Sequence, residues 1–248
     1  MPSRPFPWPG AAAAAVSLTY DDGMVSQAQL AVPALERHDL KGTFFLSDRQ
    51  GAVSERREAW ARAAMAGHEL AGHTLSHPCG RGRPWLKPGD ALEDFDEARM
   101  AGEFRSSSAL LESLGSPAPH SYAYTCGETS LGDPRRSYVP LVRAHYAAAR
   151  GIADRLNDPW AEDLHLCAAI HADKHAAEAM IATVEEARRA GHWAVFMFHG
   201  IDEGTLSVSA ATHDTLLSYL KAQAGGLYVA PFLQAAQWVA QQRQARGI

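Results

Sequence analysis

Two periodicities alternate along the chain. Short apolar runs of strand length recur at 14–20, 42–46, 67–71, 121–124, 146–149, 164–170, 193–198 and 227–230. Between them lie longer stretches with apolar residues at three- and four-residue spacing. These predict helices over 27–37, 55–66, 90–114, 138–143, 175–190, 210–224 and 232–242. In the first helix Leu30, Ala31, Ala34 and Leu35 carry the apolar face, and Gly67 and Gly115 sit where later helices stop. Residues 78–89 are rich in Gly, Pro and Arg and read as a loop; Asn157-Asp158-Pro159-Trp160 reads as a turn. Strands alternating with helices predict a parallel sheet wrapped by helices.

Length and composition narrow this picture. A chain of 248 residues with 46% hydrophobic content can bury one sizeable α/β core. Residues 1–13, with Pro2, Pro5, Pro7 and Pro9, form an extended arm, and 14–248 form a single domain. A net charge of −5 without a basic patch argues against nucleic acid. No run approaches the ~18 apolar residues of a membrane helix. The alanines at 11–15 are too few for the apolar core of an export signal, so the sequence as given reads as cytoplasmic. It reads as secreted or periplasmic if such a signal precedes it. Three cysteines make no disulfide framework.

The chemistry gathers at strand ends. Asp21 and Asp22 follow the first strand, and Gly23 lets the chain turn. Adjacent carboxylates repel, so one tends to hold its proton unless a cation sits between them. After the third strand come His73 and His77, whose spacing lets both imidazoles face one ion. One carboxylate, two imidazoles and an open position suit a catalytic metal, zinc first, cobalt or another divalent ion next. The late apolar strand delivers His199. In parallel barrels the active site lies at the C-terminal strand ends, which is where Asp21, Asp22, His73, His77, Cys126 and His199 fall.

Thr19-Tyr20-Asp21-Asp22-Gly23, His73-x-x-x-His77 and the strand ending Phe198-His199 together resemble the polysaccharide deacetylase family, with its NodB-homology domain, over residues 16–232. The resemblance implies a distorted (β/α) barrel of about seven to eight parallel strands. It also implies a metal-dependent deacetylase acting on an N- or O-acetylated saccharide. Asp22, His73 and His77 would hold the metal, Asp21 would be the base and His199 the acid. The family's Arg-x-Pro-Tyr-Gly-like stretch aligns with Ala123-Tyr124-Thr125-Cys126-Gly127, so the arginine that tethers the base is missing at Ala123. Cys126, with Tyr124 beside it, would supply the oxyanion donor from its backbone. The family's Asp-Trp segment resembles Asp158-Pro159-Trp160, which would wall the groove.

Other readings stay open at this stage. An allantoinase-like relative opens small cyclic amides on the same fold. A non-catalytic saccharide-binding protein would carry a broken metal or base position, and a metal-stabilised structural domain would close its coordination shell. Cys79 and Cys126 follow strands whose ends share one barrel face, so their loops should lie near each other, as free thiols or as a disulfide. A second pair, His171 and His175, opens an amphipathic helix and reads as solvated surface; His213 reads as a helix residue at the rim.

Overall fold

Among the described residues eight strands run parallel in one sheet; seven fall on the predicted runs, while the run 164–170 is strand only from Ile170. They are β1 (Ala14–Asp21), β2 (Thr43–Leu46), β3 (Glu69–Gly72), β4 (Ser121–Ala123), β5 (Ala148–Arg150), β6 (Ile170–His171), β7 (Trp193–Phe198) and β8 (Leu227–Val229). The computed structural model describes residues 5–173 and 175–248, with the side chain of Gln50 also left undescribed. The strand order is β5-β4-β3-β2-β1-β7-β6, and β8 pairs with the first half of β1 while β2 pairs with its second half. The sheet curls until its edges meet. Cys167 N donates to Ala149 O at 3.0 Å, and Gly151 N donates to Cys167 O at 2.9 Å. The result is the distorted (β/α) barrel expected from the sequence.

Among the described residues seven α-helices surround the sheet: α1 (Val32–Arg37), α2 (Arg57–Met65), α3 (Glu97–Ser113), α4 (Val139–His145), α5 (Ala177–Ala190), α6 (Ala210–Ala222) and α7 (Phe232–Gln244). Two departures from the sequence reading have local causes. The stretch 27–37 is a π-helical turn over Gln27–Ala31 followed by α1, a geometry that concentrates at functional sites. The helix expected from residue 90 begins at Glu97, because Asp96 caps it by accepting from Arg99 N at 2.7 Å. The N-terminal arm is docked from Pro5 onward: Phe6 and Trp8 are buried and Trp8 Nε1 donates to Gly191 O at 3.1 Å. Pro2 lies outside the described residues.

Strand parity divides the core. Even-numbered residues of β1 (Ala14, Val16, Leu18, Tyr20) face the helices, with Phe44, Leu46, Ala194, Phe196 and Phe198. The opposite parity faces the barrel interior, which is lined by small residues such as Ala15, Ala71, Ala123, Ala148 and Ala169, with Phe45 and Met197. At the bottom, α7 plugs the barrel. Phe232 N donates to Thr43 Oγ1 at 2.7 Å and Leu233 N to Glu69 Oε2 at 2.9 Å. Burial pushes the Glu69 carboxyl above its usual range. A third cluster beneath α3 and α4 holds Phe104, Tyr122, Tyr124, Tyr138 and Tyr146.

Candidate active site and metal centre

The interior parity, followed to the C-terminal strand ends, changes from small apolar residues to polar ones. On β1 it runs through Ala15, Ser17 and Thr19 to Asp21, and beyond β3 through Ala71 to His73. On β5 it passes from Ala148 to Arg150, on β6 from Ala169 to His171, and beyond β7 from Met197 to His199. Five polar side chains thus converge on one mouth, above an interior lined mainly by small residues. Asp21, Asp22, His73, His77, His171 and His199 line a single cavity there.

The turn after β1 sets the two aspartates apart. Asp22 takes φ 81° and Gly23 φ 69°; a Cβ on Gly23 would lie 2.7 Å from Val53, so only glycine fits. Asp22 swings toward the histidines: its Oδ1 lies 3.5 Å from His73 Nε2 and 3.2 Å from His77 Nε2. His73 Nδ1 sits 2.8 Å from Ala123 O, so this ring donates there and aims Nε2 at Asp22. Thr74 and His77 are both left-handed, at φ 60° and 54°. Their loop is held by Glu103 of α3, which accepts from Leu75 N (2.8 Å), Ser76 N (3.0 Å) and Ser76 Oγ (2.9 Å). Strained backbone fixed by a buried scaffold is characteristic of built sites.

Asp22 Oδ1 is buried with no hydrogen-bond partner that meets full geometry, and it faces two imidazole nitrogens. All three ligand atoms lie within 4.8 Å of one another. One hard oxygen and two borderline nitrogens are the donor set of a divalent transition ion, and the cluster fits such an ion. Burial alone would favour a neutral Asp22, but the facing imidazoles of His73 and His77 outweigh it and hold the carboxyl well below its usual range.

Asp21 points into the barrel, not at the histidines. Its Oδ1 receives a charged hydrogen bond from Arg150 Nη2. Arg150 is fully buried, and its guanidinium stacks over Phe45 at 4.7 Å from the ring centroid. Arg150 is the register partner of Ala123 on the adjacent strand. The arginine absent from position 123 is therefore replaced, at the same height, by one from β5. Gln27, in the π-helical turn, donates through Nε2 to both Asp21 O and His199 O, the latter at 2.9 Å, and so ties β1 to β7.

His199 is held by Asp173, whose Oδ2 lies 2.7 Å from Nδ1. Burial lowers the imidazolium pKa, but that hydrogen bond and the negative charges of Asp21, Asp22 and Asp173 raise it by more, to about 9. Cys79 and Cys126 form a disulfide with Cα atoms 5.8 Å apart. It joins the His77 loop to the turn after β4, where Cys126 has φ 53°. Thr125 Oγ1 adds a second tie, donating to Pro78 O at 2.5 Å.

Four sequence assignments need correcting. Asp158 and Trp160 lie at the opposite end of the barrel, in a cavity with Phe6, Ala13, Gly191 and His192, all of which precede strands or belong to the arm. Trp160 packs on Phe6 and under Arg246. The segment after β5 that does reach the mouth supplies Ile152 instead. Tyr124 borders the cavity, but its ring is buried among Tyr122 and Tyr138 and its hydroxyl donates to His165 O at 3.0 Å, leaving no hydroxyl for a ligand. His171 is not solvated helix surface: it ends β6, lines the cavity and pairs with Asp154 at 3.1 Å. His213, read at the rim, is buried against Tyr20, its Nε2 2.7 Å from the hydroxyl, and burial lowers its pKa to about 4.

Known proteins resemble this chain in sequence family and in fold. The family model for polysaccharide deacetylase matches residues 10–133. No curated protein matches the chain. Among solved structures, a Mycobacterium smegmatis protein described as a polysaccharide deacetylase is similar with a TM-score of 0.69 and 18% identity, over 98% of this chain and 96% of that one. A family 4 carbohydrate esterase from Streptomyces lividans, solved with acetate, gives 0.58 and 19% over 88% and 92%. A mutant of a pseudoenzyme of carbohydrate esterase family 4 gives 0.57 and 16% over 90% and 67%.

Proposed function

The chain belongs to the polysaccharide deacetylase family, and from that premise we propose that it removes acetyl groups from an N- or O-acetylated saccharide by metal-assisted hydrolysis. The observation that carries the reading is the juxtaposition of two differently held carboxylates. Asp22 is turned toward two imidazoles as a ligand, while Asp21, one residue away, is bound to Arg150. A divalent ion held by Asp22, His73 and His77, zinc by its donor set, would polarise the acyl carbonyl and acidify an attacking water.

The chain's own residues do the rest. Arg150 keeps Asp21 oriented at the mouth, where its free carboxylate edge takes the proton of the attacking water. The backbone N–H of Cys126, in the turn fixed by the disulfide, would donate to the developing oxyanion. His199 carries its proton on Nε2, since Nδ1 is engaged with Asp173, and gives it to the leaving nitrogen or oxygen. Gln27 fixes the separation of base and acid by holding both backbones.

A saccharide-binding pseudoenzyme would need a lost ligand, base or acid, and none of Asp21, Asp22, His73, His77 and His199 is lost. We further propose an oxidising setting outside the cytoplasm, where the Cys79–Cys126 disulfide is maintained. Thiol labelling of protein taken directly from cells checks this, and quantitative labelling of both cysteines would exclude it. The deciding experiment for the function measures acetate release from acetylated chitin oligomers and acetylated xylan, with metal content measured in parallel. Turnover should vanish on chelation and return with zinc or cobalt. Undiminished turnover in protein verified to be metal-free would exclude the mechanism.

A further inference from the structure

About half of the basic side chains among the described residues are paired in place, Arg81, Arg99, Arg135, Arg143, Arg155 and Arg188 among them. At the mouth of the site unpaired ones gather. Arg49 and Arg83 line the catalytic cavity with the exposed ring of Trp85. Arg49 and Trp85 also line an adjoining cavity that contains Lys87. The two cavities form one groove leading away from the metal ligands. Among the described residues no carboxylate pairs with Arg49, Arg83 or Lys87. The acids of the groove are already engaged: Asp48 accepts from Val53 N, Ser54 N and Ser54 Oγ, and Asp90 pairs with Arg99. Asp21 and Asp22 belong to Arg150 and the histidines.

We propose that this groove binds the part of the saccharide beyond the reacting acetyl group, and that this part is anionic, bearing a carboxylate or sulfate on a neighbouring sugar. The inference rests on the deacetylase reading for its substrate class. Two guanidiniums and an ammonium left unpaired in a concave wall raise the local concentration of anions, and guanidinium matches carboxylate and sulfate oxygens in bidentate geometry. Trp85, with Arg83 5.8 Å from its ring centroid, offers a flat apolar face for a pyranose ring beside the charge. Ile152 and Leu206 complete an apolar lip. A neutral chain such as chitin would leave the three cations without partners.

The test is binding, so that it stands apart from turnover. A hyaluronan tetrasaccharide, its carboxyl methyl ester and neutral chitotetraose are titrated onto the protein by calorimetry, with a chondroitin sulfate tetrasaccharide and its desulfated form as a second arm. The charged form of at least one arm should bind about tenfold tighter than its neutralised counterpart, as expected of two or three partly exposed ion pairs acting together. The arm that shows the preference identifies the anion. The preference should shrink with added salt and fall toward one in Arg49→Ala/Arg83→Ala, while Arg105→Ala on the outer face of α3 leaves it unchanged. Equal binding of charged and neutral forms in both arms overturns the proposal, as does a preference that Arg105→Ala removes equally. Acetate release measured separately decides the deacetylase reading: a charge preference without release from any of these saccharides keeps the groove and sinks the chemistry.

Discussion

Replacing Arg150 with methionine tests how the proposed base is held. The side chain is fully buried, stacks on Phe45 and supplies the charged hydrogen bond to Asp21. Methionine keeps an unbranched chain against Phe45 and removes only the charge and the donors. A hydrogen bond to a charged group is worth about 1.5–3 kcal/mol. If it orients Asp21 chiefly in the transition state, kcat/KM should fall by about 10- to 150-fold with KM little changed. Stability should fall as well, since Asp21 is left inside the barrel without its partner. Breaking one side of a buried pair costs about 3–5 kcal/mol, or roughly 6–20 °C in Tm for a chain of this size. Zinc should recover part of that loss by placing a cation beside Asp21. The decisive arm moves the arginine: because Ala123 and Arg150 are register partners, Ala123→Arg/Arg150→Ala returns a guanidinium to the same height in the barrel. It should regain activity that Arg150→Ala lacks. Acetate release and thermal melts are the assays. Full turnover and an unchanged melt in Arg150→Met would refute the assignment of Arg150 as the tether.

Three further outcomes follow from the same geometry. Asp22→Ala should lose metal and activity together, whereas Asp21→Asn should keep the metal and lose turnover; metal analysis showing the reverse would exchange their roles. His199 has its pKa raised to about 9 by Asp173 and the nearby acids, so it is protonated below that pH, and its contribution to rate and stability is lost as pH rises through about 9. Asp173→Asn should move the alkaline limb of the pH–rate profile down toward ~6.5, and an unmoved limb would show that another group is the acid. Reducing Cys79–Cys126 frees both the His77 loop and the Cys126 turn, so a dithiol should weaken metal retention and slow turnover in parallel, measured by chelator competition; unchanged retention would assign the disulfide to stability alone.

The strands were legible because their burial is extreme. Every residue from Ala14 to Asp21 and from Trp193 to Phe198 is buried, and such runs stand out in a sequence. Helix boundaries were less legible because caps decide them, as Asp96 does for α3. Of the proposed metal ligands, Asp22 and His73 were legible because each lies just past a strand, and His77 by its spacing from His73. Arg150 and His171 were not recognised, although the signal was present: each lies two residues beyond a small interior residue, Ala148 and Ala169, on the parity that faces the barrel. Attention to a helical four-residue spacing hid His171, which ends a strand. Asp158 and Trp160 misled for a different reason. Seven residues lie between Arg150 and Asp158, enough chain to run back down the barrel, and Asn157 N already donates to Trp193 O at the bottom.

What no linear reading could supply is the closure of the barrel. Arg150 lies on β5, the edge strand of the sheet order, and Asp21 on β1, four strands away. In a flat sheet they would be separated by four inter-strand spacings of about 4.8 Å, about 19 Å in all. They meet because the sheet curls and the β5 edge is sewn to the 164–171 segment through Ala149, Gly151 and Cys167. The base of the proposed mechanism is therefore held by a contact that exists only in the closed barrel. Ala71, Ala123 and Ala169 line the same interior with small side chains. At Ala123, where the family's arginine is absent, the register partner Arg150 supplies the guanidinium instead. Disturbing the seam far from the metal, for instance at Cys167, would be expected to act on Asp21 before it acts on Asp22, His73 or His77, whose loop is anchored independently by Glu103 and the disulfide. Cys167→Leu should accordingly lower turnover while metal affinity holds; loss of metal at the same rate as activity would show that the seam and the ligand loop are not separate supports.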